Sequence, residues 1–580
     1  MKTTWGEALD RSLPLPEYPR PQLCREKWMC LNGPWAYAIT KTTENETPPE
    51  TWDGEIVVPF SPECELSGVG RTLHAGETLW YRRSFSLPQG FVPENGRLLL
   101  HFGAADQEAA VFLNGREVGT HAGGYNAFVF DGTAALEQEN ALVVRVHDDT
   151  DATWRSRGKQ SSKRGGIWYT PQSGIWQTVW LEPVPGRYIR RLRIVPDIDG
   201  RQVSLTVETA GEGAVGERCT AAFDGQTFSL TPDEPTCLPV EDMRLWSPED
   251  PFLYPLTVTL GEDRAESYFG MRKTEVRADE QGVKRLFLND RPYFHNGLLD
   301  QGYWPDGLYT PPSDQAMIYD IQTAKDLGYT MLRKHIKVEP MRWYYHCDRL
   351  GMLVWQDMPN GGGKYRFSTI SFPLITKVHH SDHLYRKFAR EAGEGRAAYA
   401  RELEEMVRQL QNAPSIVLWV PFNEGWGQFD AARAYESVRL LDPTRPIDHA
   451  SGWHDQKIGD IQSLHVYFKP YRFHKDKLGR AVALSEFGGY NLKVEGHCWN
   501  DADYGYKRLP DGATLWAAYQ RLYREQVLPA IPKGLCAAVY TQLTDVEDEV
   551  NGIMTYDRKV VKLPESELRA LNAEVGKAGG

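Results

Sequence analysis

The chain has 580 residues, 41% of them hydrophobic and 25% charged, with a formal net charge of −12. This length exceeds what one hydrophobic core sustains, and we expect three domains. The negative charge and the lack of a Lys/Arg-rich run argue against nucleic acid and a membrane surface as partners. The expected partner is therefore a small or neutral molecule.

No segment has the pattern of a secretion signal or a membrane span. The first residues, MKTTWGEALDRSLPLPEYPRP, include no apolar stretch, and no uncharged apolar run reaches the roughly 18 residues of a spanning helix. We therefore predict a cytoplasmic protein. The eight Cys residues form no C-x-x-C pair and have no His at zinc spacing. We expect reduced, mostly buried thiols that bind no metal.

Residues 1–185 contain short strand candidates separated by turn residues, at 98–102, 109–115, 141–146 and 177–182. This spacing predicts an all-β sandwich. Asn114-Gly115 between apolar residues predicts a type I′ hairpin turn.

Residues 186–275 continue with alternating runs at 191–195, 203–208 and 253–260. A segment of about 100 residues with this pattern fits an immunoglobulin-like β-sandwich. We expect it to be scaffold.

From residue 276 the pattern changes to strand, loop and helix, as in a (β/α)₈ TIM barrel. A helix is predicted over Ala397 to Leu410, where apolar residues recur at helical spacing. The eight strand candidates are Tyr293 to Leu298, Thr330 to Lys334, Leu353 to Gln356, Ile416 to Phe422, Pro446 to Ala450, Gln462 to Tyr467, Val482 to Ser485, and Ala537 to Gln542.

Strand candidates four and seven are each followed by a glutamate. The run SIVLWVPFNEGWG loses its apolar character at Asn423-Glu424, and the run VALS precedes Glu486. Because barrel enzymes keep catalytic residues at the carboxyl ends of their strands, we expect both carboxylates in one cleft. Two facing carboxyl groups suit glycoside hydrolysis, in which one protonates the leaving oxygen and the other attacks carbon or activates water. This chemistry needs no metal and no organic cofactor.

Asn423-Glu424 and Glu486-Phe487-Gly488 resemble the acid/base and nucleophile signatures of glycoside hydrolase family 2, the β-galactosidase, β-glucuronidase and β-mannosidase group. Stretches at 103–115, 173–180, 245–249 and 268–272 extend the resemblance over essentially the whole chain. It implies a jelly-roll domain at 1–185, an immunoglobulin-like domain at 186–275 and a catalytic TIM barrel at 276–580. It also implies Glu486 as nucleophile, Glu424 as acid/base and Asn423 on the 2-hydroxyl of the sugar.

Other strand ends supply candidates for substrate binding. Strand alternation aims Arg333 and His335 to one side, and the resemblance places Arg333 near the nucleophile and His335 on the sugar. It also implies that Tyr467, after His465, hydrogen-bonds the nucleophile. The remaining candidates are Trp355, Asp357, Asp300 and Asp545. The three carboxylates among them could bind sugar hydroxyls or cap helices.

The leading hypothesis is a retaining exo-glycosidase of β-galactosidase type, acting on a terminal β-linked sugar of a small glycoside. Family glucuronidases carry an Asn-x-Lys that holds the uronate, whereas this chain reads Asn551-Gly552-Ile553, which counts against a uronate. An α-L-arabinopyranosidase, a β-galactofuranosidase and a β-glucuronidase stay open as alternatives.

Two other classes of protein compete with this reading. A non-catalytic carbohydrate-binding protein would typically have lost one carboxylate, and here both are present. A metal-dependent hydrolase would need clustered His and Asp ligands, for which no H-x-H or H-E-x-x-H motif exists in the sequence. The long connection 359–394 is expected to roof the pocket or shape an aglycone site. A homo-oligomer is left open.

Overall fold

The computed structural model describes residues 1–43, 47–213, 217–374, 376 and 378–579. Its N-terminal part is built from antiparallel sheets. Two large sheets enclose an apolar core that includes Trp35, Tyr81 and Phe102. The four-stranded sheet contains β1 (Met29–Cys30), β12 (Val179–Val184), β5 (Arg97–Phe102) and β9 (Phe128–Asp131). The six-stranded sheet contains β3 (Gly54–Val58), β2 (Gly33–Lys41), β4 (Glu77–Ser86), β10 (Glu139–His147), β7 (Glu108–Leu113) and β8 (Arg116–Ala122). A two-stranded ladder joins β6 (Ala105–Asp106) to β11 (Gly174–Ile175).

The hairpin between β7 and β8 confirms the predicted turn. Leu113 pairs with Arg116, so the loop has only two residues. Asn114 and Gly115 have φ of 52° and 76°, the pair of positive values that a type I′ turn requires.

The second part is a sandwich of two further antiparallel sheets around a core that includes Leu205, Val258 and Phe269. One sheet contains β13 (Arg187–Asp197), β14 (Gln202–Gly211) and β17 (Thr236–Pro239). The other contains β16 (Gln226–Leu230), β15 (Cys219–Phe223), β18 (Tyr254–Leu260) and β19 (Asp263–Phe269). The jelly-roll and immunoglobulin topologies, and boundaries at 185/186 and 275/276, stay predictions.

A small sheet then leads into the third part, with β20 (Thr274–Ala278), β21 (Lys284–Leu288) and β22 (Arg291–Pro292). Leu286 and Leu288 of β21 join the buried cluster that contains Met331, Leu353 and Val417 of the following strands.

The third part is a curled parallel sheet of seven strands. In spatial order these are β26 (Ile416–Val420), β25 (Leu353–Asp357), β24 (Met331–Lys334), β23 (His295–Asp300), β31 (Leu535–Thr541), β28 (Ala481–Gly488) and β27 (Ile461–Val466). Strands β26 and β31 are near-continuous hydrophobic runs, as expected for parallel strands buried on both faces. A short pair, β29 (Tyr490–Asn491) and β30 (Lys507–Arg508), lies outside this sheet.

The α-helices of the described chain are α1 (Thr4–Glu7), α2 (Asp314–Asp326), α3 (Met341–Leu350), α4 (Phe367–Ile370), α5 (Gly393–Leu410), α6 (Ala431–Leu441), α7 (Gly512–Leu522) and α8 (Glu565–Gly579). Helix α5 confirms the predicted helix over Ala397 to Leu410, and Leu403, Met406 and Val407 are buried as their spacing indicated. Among the described residues, no helix combines the length and apolarity needed to cross a membrane.

The predicted fifth strand, Pro446 to Ala450, is not a regular strand. Within it, Ile447 makes an isolated bridge to Trp419 of β26, and Pro446 has no N–H to donate. The N–H of Ile447 donates to the side chain of Asp460 instead of to a strand carbonyl, while the carbonyl of Ile447 accepts from the N–H of Asp460 beside β27. The expected eight-stranded barrel therefore has seven regular strands. The irregular segment Pro446 to Ala450 lies between the edge strands β26 and β27 in place of the eighth.

All eight Cys residues are free. Half of them are buried, and Cys237 is exposed, so the expectation of mostly buried thiols is met only in part.

Candidate active site

Arg333 stands at the centre of the cluster of polar residues at the carboxyl end of the sheet. Its guanidinium binds both carboxylate oxygens of Asp357 at 3.0 Å. It also donates to Glu486 at 3.1 Å and to Asn423 at 2.8 Å. Lys334 points the other way, to Asp300 and Glu339. The predicted alternation along β24 is confirmed, and Arg333 ties three other strand ends together.

Glu486 lies within β28 rather than after it, because this strand continues to Gly488. The pairing with β31 skips Ser485 and Glu486, and the register with β27 shifts so that His465 lies opposite Glu486. Such irregularities re-aim a side chain at a sheet edge. The carboxylate of Glu486 accepts from the Tyr467 hydroxyl at 2.5 Å.

Glu424 follows β26 after three residues and has a left-handed backbone, with φ of 51°. This conformation is unfavourable for a residue with a side chain. Two hydrogen bonds hold this conformation. The backbone N–H of Glu424 donates to the carbonyl of Ser451 at 2.9 Å, and the indole N–H of Trp453 donates to the carbonyl of Glu424 at 2.8 Å. The surrounding contacts thus fix where the Glu424 carboxyl points.

His465 links the two glutamates. Its Nδ1 lies 2.7 Å from Oε1 of Glu424, and its Nε2 lies 3.5 Å from Oε1 of Glu486. One oxygen of each glutamate and one ring nitrogen all lie within 4.8 Å of one another. Both glutamates are buried, with 8% and 4% of their surface exposed. The expectation that the two carboxyl groups share one cleft is met.

The environments of the two carboxyl groups shift their pKa values in opposite directions. Burial, and then the charge of Glu486, raise the pKa of Glu424. The hydrogen bond from His465 lowers this pKa but does not cancel the rise. Burial also opposes ionisation of Glu486, but His465, Arg333 and the Tyr467 hydroxyl outweigh this effect and lower the pKa of Glu486. Divergent pKa values in a carboxyl pair separate an acid from a nucleophile or base.

His335 and Asn423 complete the cluster. Nδ1 of His335 lies 2.8 Å from Oδ2 of Asp357, which fixes the ring. Burial, followed by the charge of Lys159, lowers the pKa of His335 well below its usual range, so the ring is neutral at pH 7. The amide Nδ2 of Asn423 is buried and has no hydrogen-bond partner among the described residues. A buried, unpaired donor of this kind is free to bind a ligand oxygen.

Three predicted site residues lie outside this cluster. Trp355 is fully buried one layer below, where its indole donates to His295 at 2.9 Å. Asp300 faces away from the sheet interior and pairs with Lys334 at 2.7 Å. Asp545 pairs with Lys562 at 2.6 Å. The structure therefore brings together Glu424, Glu486, Asn423, His335, Arg333, Tyr467, His465 and Asp357.

The N-terminal sandwich also borders the site, through its loop 150–172, which sequence reasoning did not single out. Arg157 donates its N–H to the carbonyl of Asn360 at 2.8 Å, and the N–H of Thr170 donates to Glu547 at 3.0 Å. Lys159 of this loop lies 5.7 Å from the ring of Trp426. No local pattern marks such residues, because their contacts with the sheet span hundreds of positions.

Aromatic rings from three segments meet beside the cluster. Trp168 of the loop 150–172 lies 5.4 Å from Trp426 and 5.8 Å from Tyr365 of the connection 359–394. Farther along this connection, the carbonyl of Thr369 contacts His454 at 2.8 Å. The expectation that this connection covers the pocket is consistent with these contacts, although residues 375 and 377 lie outside the described chain.

Glu424, His465 and Glu486 also form a set of side chains close enough to hold a metal ion, which sequence reasoning did not foresee. Both ring nitrogens of His465 are engaged, one by Glu424 and the other by the Ser451 hydroxyl at 3.1 Å. Metal binding requires a free lone pair on the imidazole, and the neighbouring Arg333 repels a cation. The hydrogen bonds of this set therefore favour its use as acid, base and nucleophile.

A parallel sheet with paired carboxyl groups at its carboxyl end has the architecture of a glycoside hydrolase. Family models described as "Glycosyl hydrolases family 2, sugar binding domain", "Glycosyl hydrolases family 2" and "Glycosyl hydrolases family 2, TIM barrel domain" match residues 70–185, 188–272 and 310–486. The chain belongs to glycoside hydrolase family 2 and is a glycosidase.

Among relatives, the chain is 24% identical to a β-glucuronidase of Streptococcus agalactiae, over 84% of each chain. It is also 24% identical to a β-galactosidase of Enterobacter cloacae, over 74% of this chain and 43% of that protein.

Solved structures share the fold. A β-glucuronidase of Faecalibacterium prausnitzii superposes with a TM-score of 0.73 at 21% identity, covering 96% of this chain and 99% of that one. A β-galacturonidase of Eisenbergiella tayi bound to galacturonate superposes with a TM-score of 0.70 at 19% identity, covering 96% and 100%.

Proposed function

We propose that this chain is a retaining exo-glycosidase that hydrolyses a terminal β-linked sugar with Glu486 as nucleophile and Glu424 as acid/base. The proposal rests on the proximity of the two carboxyl groups, since one oxygen of each lies within 4.8 Å of one oxygen of the other. Retaining enzymes hold their carboxyl groups about 5 to 5.5 Å apart, whereas inverting enzymes leave about 6.5 to 9.5 Å for a water molecule. The presence of both groups also opposes a purely carbohydrate-binding role.

The assignment of roles follows from the surroundings of each carboxyl group. Arg333 and Tyr467 keep Glu486 ionised, so that it can attack the anomeric carbon. Glu424 keeps its proton because it is buried next to that charge. As the bond between Glu486 and the anomeric carbon forms, the bond to the aglycone oxygen breaks and Glu424 protonates that oxygen.

The second step reverses these roles. Glu424, now ionised, removes a proton from a water molecule that attacks the anomeric carbon. The ester bond to Glu486 breaks, its carboxylate is restored, and the sugar leaves with its original anomeric configuration. The unpaired amide of Asn423 is placed to bind the 2-hydroxyl, and the neutral ring of His335 to bind another hydroxyl.

The substrate sugar is either neutral or acidic. The sequence favoured a β-galactoside, and the relatives include enzymes named for galactosides and for glucuronides. At the position of the family's Asn-x-Lys, Asn551 is bonded to Glu549 and Gln542, and Ile553 is buried. That position therefore offers no cation to a substrate. A cytoplasmic location and a homo-oligomer stay predictions.

Azide rescue of two variants tests the proposal. With a dinitrophenyl glycoside, whose leaving group needs no proton, Glu424→Ala should still form the glycosyl-enzyme, and azide should accelerate turnover to a product of retained configuration. Glu486→Ala has no nucleophile and should be nearly inactive, with any azide product inverted. Glu404→Ala, on the exposed face of α5, serves as the control and should behave as wild type.

The stereochemistry of the products identifies the outcome. A reversed pattern for the two variants would exchange the roles of the glutamates. An inverted first product from the wild-type enzyme, seen by proton NMR, would rule out the retaining mechanism.

A further inference from the structure

Lys159 is an almost fully buried lysine whose ammonium group has no anionic or hydrogen-bonding partner in the described chain. The residue is only 5% exposed. No carboxylate or hydrogen-bond acceptor among the described residues contacts its ammonium group, which has only the rings of Tyr169 and Trp426 nearby, at 5.5 and 5.7 Å. Burying an ammonium without an anion is costly, and the aromatic faces compensate for only part of that cost.

The ammonium group belongs to the surroundings of the catalytic cluster. The ring of Trp426, which the ammonium group approaches, lies 6.1 Å from the ring of His335. The backbone N–H of Trp426 donates to the carbonyl of Asn423 at 2.9 Å. After burial, the charge of Lys159 contributes to the low pKa of His335, and it offsets part of the rise in the pKa of Glu424. Lys159 therefore acts on the same pocket as the catalytic residues, from outside the barrel.

The backbone around Lys159 is fixed before any ligand binds. Gly158 has φ of 61°, and a Cβ atom there would lie 2.6 Å from the Tyr309 hydroxyl and 3.1 Å from the Ile336 carbonyl, so only glycine fits. On the other side, the Gln160 side chain donates to Asp106 at 3.1 Å and to Tyr125 at 3.2 Å. A lysine side chain that starts from a fixed backbone and is 5% exposed has less freedom to lose on binding an anion than an exposed lysine has.

We propose that Lys159 is a specificity-determining residue that binds a carboxylate group carried by the glycoside substrate. A uronic acid at the cleaved position is one source of that carboxylate, and an acidic aglycone is the other. A neutral hydroxyl would accept a hydrogen bond but leave the buried charge uncompensated, whereas a carboxylate supplies both the acceptor and the charge. The inference rests on the proposed glycosidase function, and it replaces the sequence-based preference for a neutral galactoside.

The test compares Lys159→Met with the wild-type enzyme on nitrophenyl β-galactoside, β-galacturonide, β-glucoside and β-glucuronide, and on a carboxyphenyl β-galactoside. We expect kcat/KM for the substrates with the recognised carboxylate to fall roughly 10- to 100-fold, the effect of losing a charge-assisted hydrogen bond. Neutral substrates should lose at least about tenfold less, because for them only the shared effect of Lys159 on the charges of the pocket changes. Loss on the uronides identifies the sugar carboxylate, and loss on the carboxyphenyl galactoside identifies the aglycone.

Two further variants control for folding and for charge in general. Lys159→Arg keeps the charge and should restore part of the activity on the acidic substrate. Lys163→Met removes an exposed lysine from the same loop and should be neutral. Thermal melting of each variant checks that it is folded.

An equal loss on neutral and acidic glycosides, or no loss on either, would overturn the inference. A wild-type enzyme that hydrolyses neutral glycosides but none of the acidic ones would refute this inference alone and leave the proposed function standing. Absence of any glycosidase activity in the wild-type protein would instead refute the proposed function.

Discussion

The hydroxyl of Tyr467 donates a hydrogen bond of 2.5 Å to Oε2 of Glu486. The ring that carries this hydroxyl stacks on Tyr506 at 3.7 Å, which holds it in place. Because the donor stabilises the ionised carboxylate, the bond links the position of one side chain to the protonation state of the nucleophile.

Tyr467→Phe should lower kcat/KM roughly 10- to 100-fold, as expected for the loss of a hydrogen bond to a charged group. The hydroxyl lowers the pKa of Glu486, so its removal raises that pKa and moves the acidic limb of the pH profile of kcat/KM to higher pH. Tyr435→Phe, on α6 and far from Glu486 along the chain, is the control. An unshifted acidic limb with full activity would contradict the assigned role.

His335→Ala should lower kcat/KM about 100-fold while the melting temperature changes by only a few degrees, since about 1 kcal/mol corresponds to about 2 to 4 °C in domains of 150–250 residues. Asp357 keeps both hydrogen bonds to Arg333 without His335, so the core of the cluster survives. His101→Ala, which removes a ring stacked on Trp180 in the first sandwich, should do the reverse. A large fall in melting temperature with normal kinetics would make His335 a structural residue.

Hydrolysis should be unaffected by EDTA. His465 already uses both ring nitrogens, and Glu486 is bonded to Arg333 and Tyr467. A divalent ion would have to displace these partners. Activity lost in EDTA and restored by a divalent ion would show that the Glu424, His465 and Glu486 set binds a metal, and metal analysis of the purified protein would identify it.

The third part of the chain should lose stability below about pH 6.5, the usual His pKa. Burial lowers the pKa of His295 to about 3, and its Nδ1 accepts the indole N–H of Trp355. The unfolded chain takes up a proton below the unfolded pKa and the folded chain does not. Stability is therefore present above that pH and falls by about 1.4 kcal/mol per pH unit as pH decreases toward 3.

His295→Gln tests this, because glutamine keeps an acceptor and does not titrate. The variant should show a shallower decline of unfolding midpoint between pH 7 and pH 5 than the wild type. His74→Gln changes an exposed histidine and should leave the wild-type slope. Equal slopes for wild type and His295→Gln would contradict the buried neutral state.

The direction of side chains along β24 and β23 follows from strand alternation. The alternation of β24 was predictable because successive side chains leave a strand on opposite faces. Arg333 and His335 therefore lie on one face, where both contact Asp357. The same rule explains Asp300, which was expected in the pocket. Leu299 occupies the inner face of β23, and its neighbour therefore turns outward to Lys334.

The sequence by itself determined most strands of the parallel sheet and the two glutamates that share a cleft, because hydrophobic periodicity and short motifs are local properties. Only the tertiary structure decided that Trp355 lies in the layer below the site and that Pro446 to Ala450 is irregular. It alone placed Lys159 beside Trp426. Contacts between residues hundreds of positions apart depend on how whole sheets pack, and no local pattern carries that information.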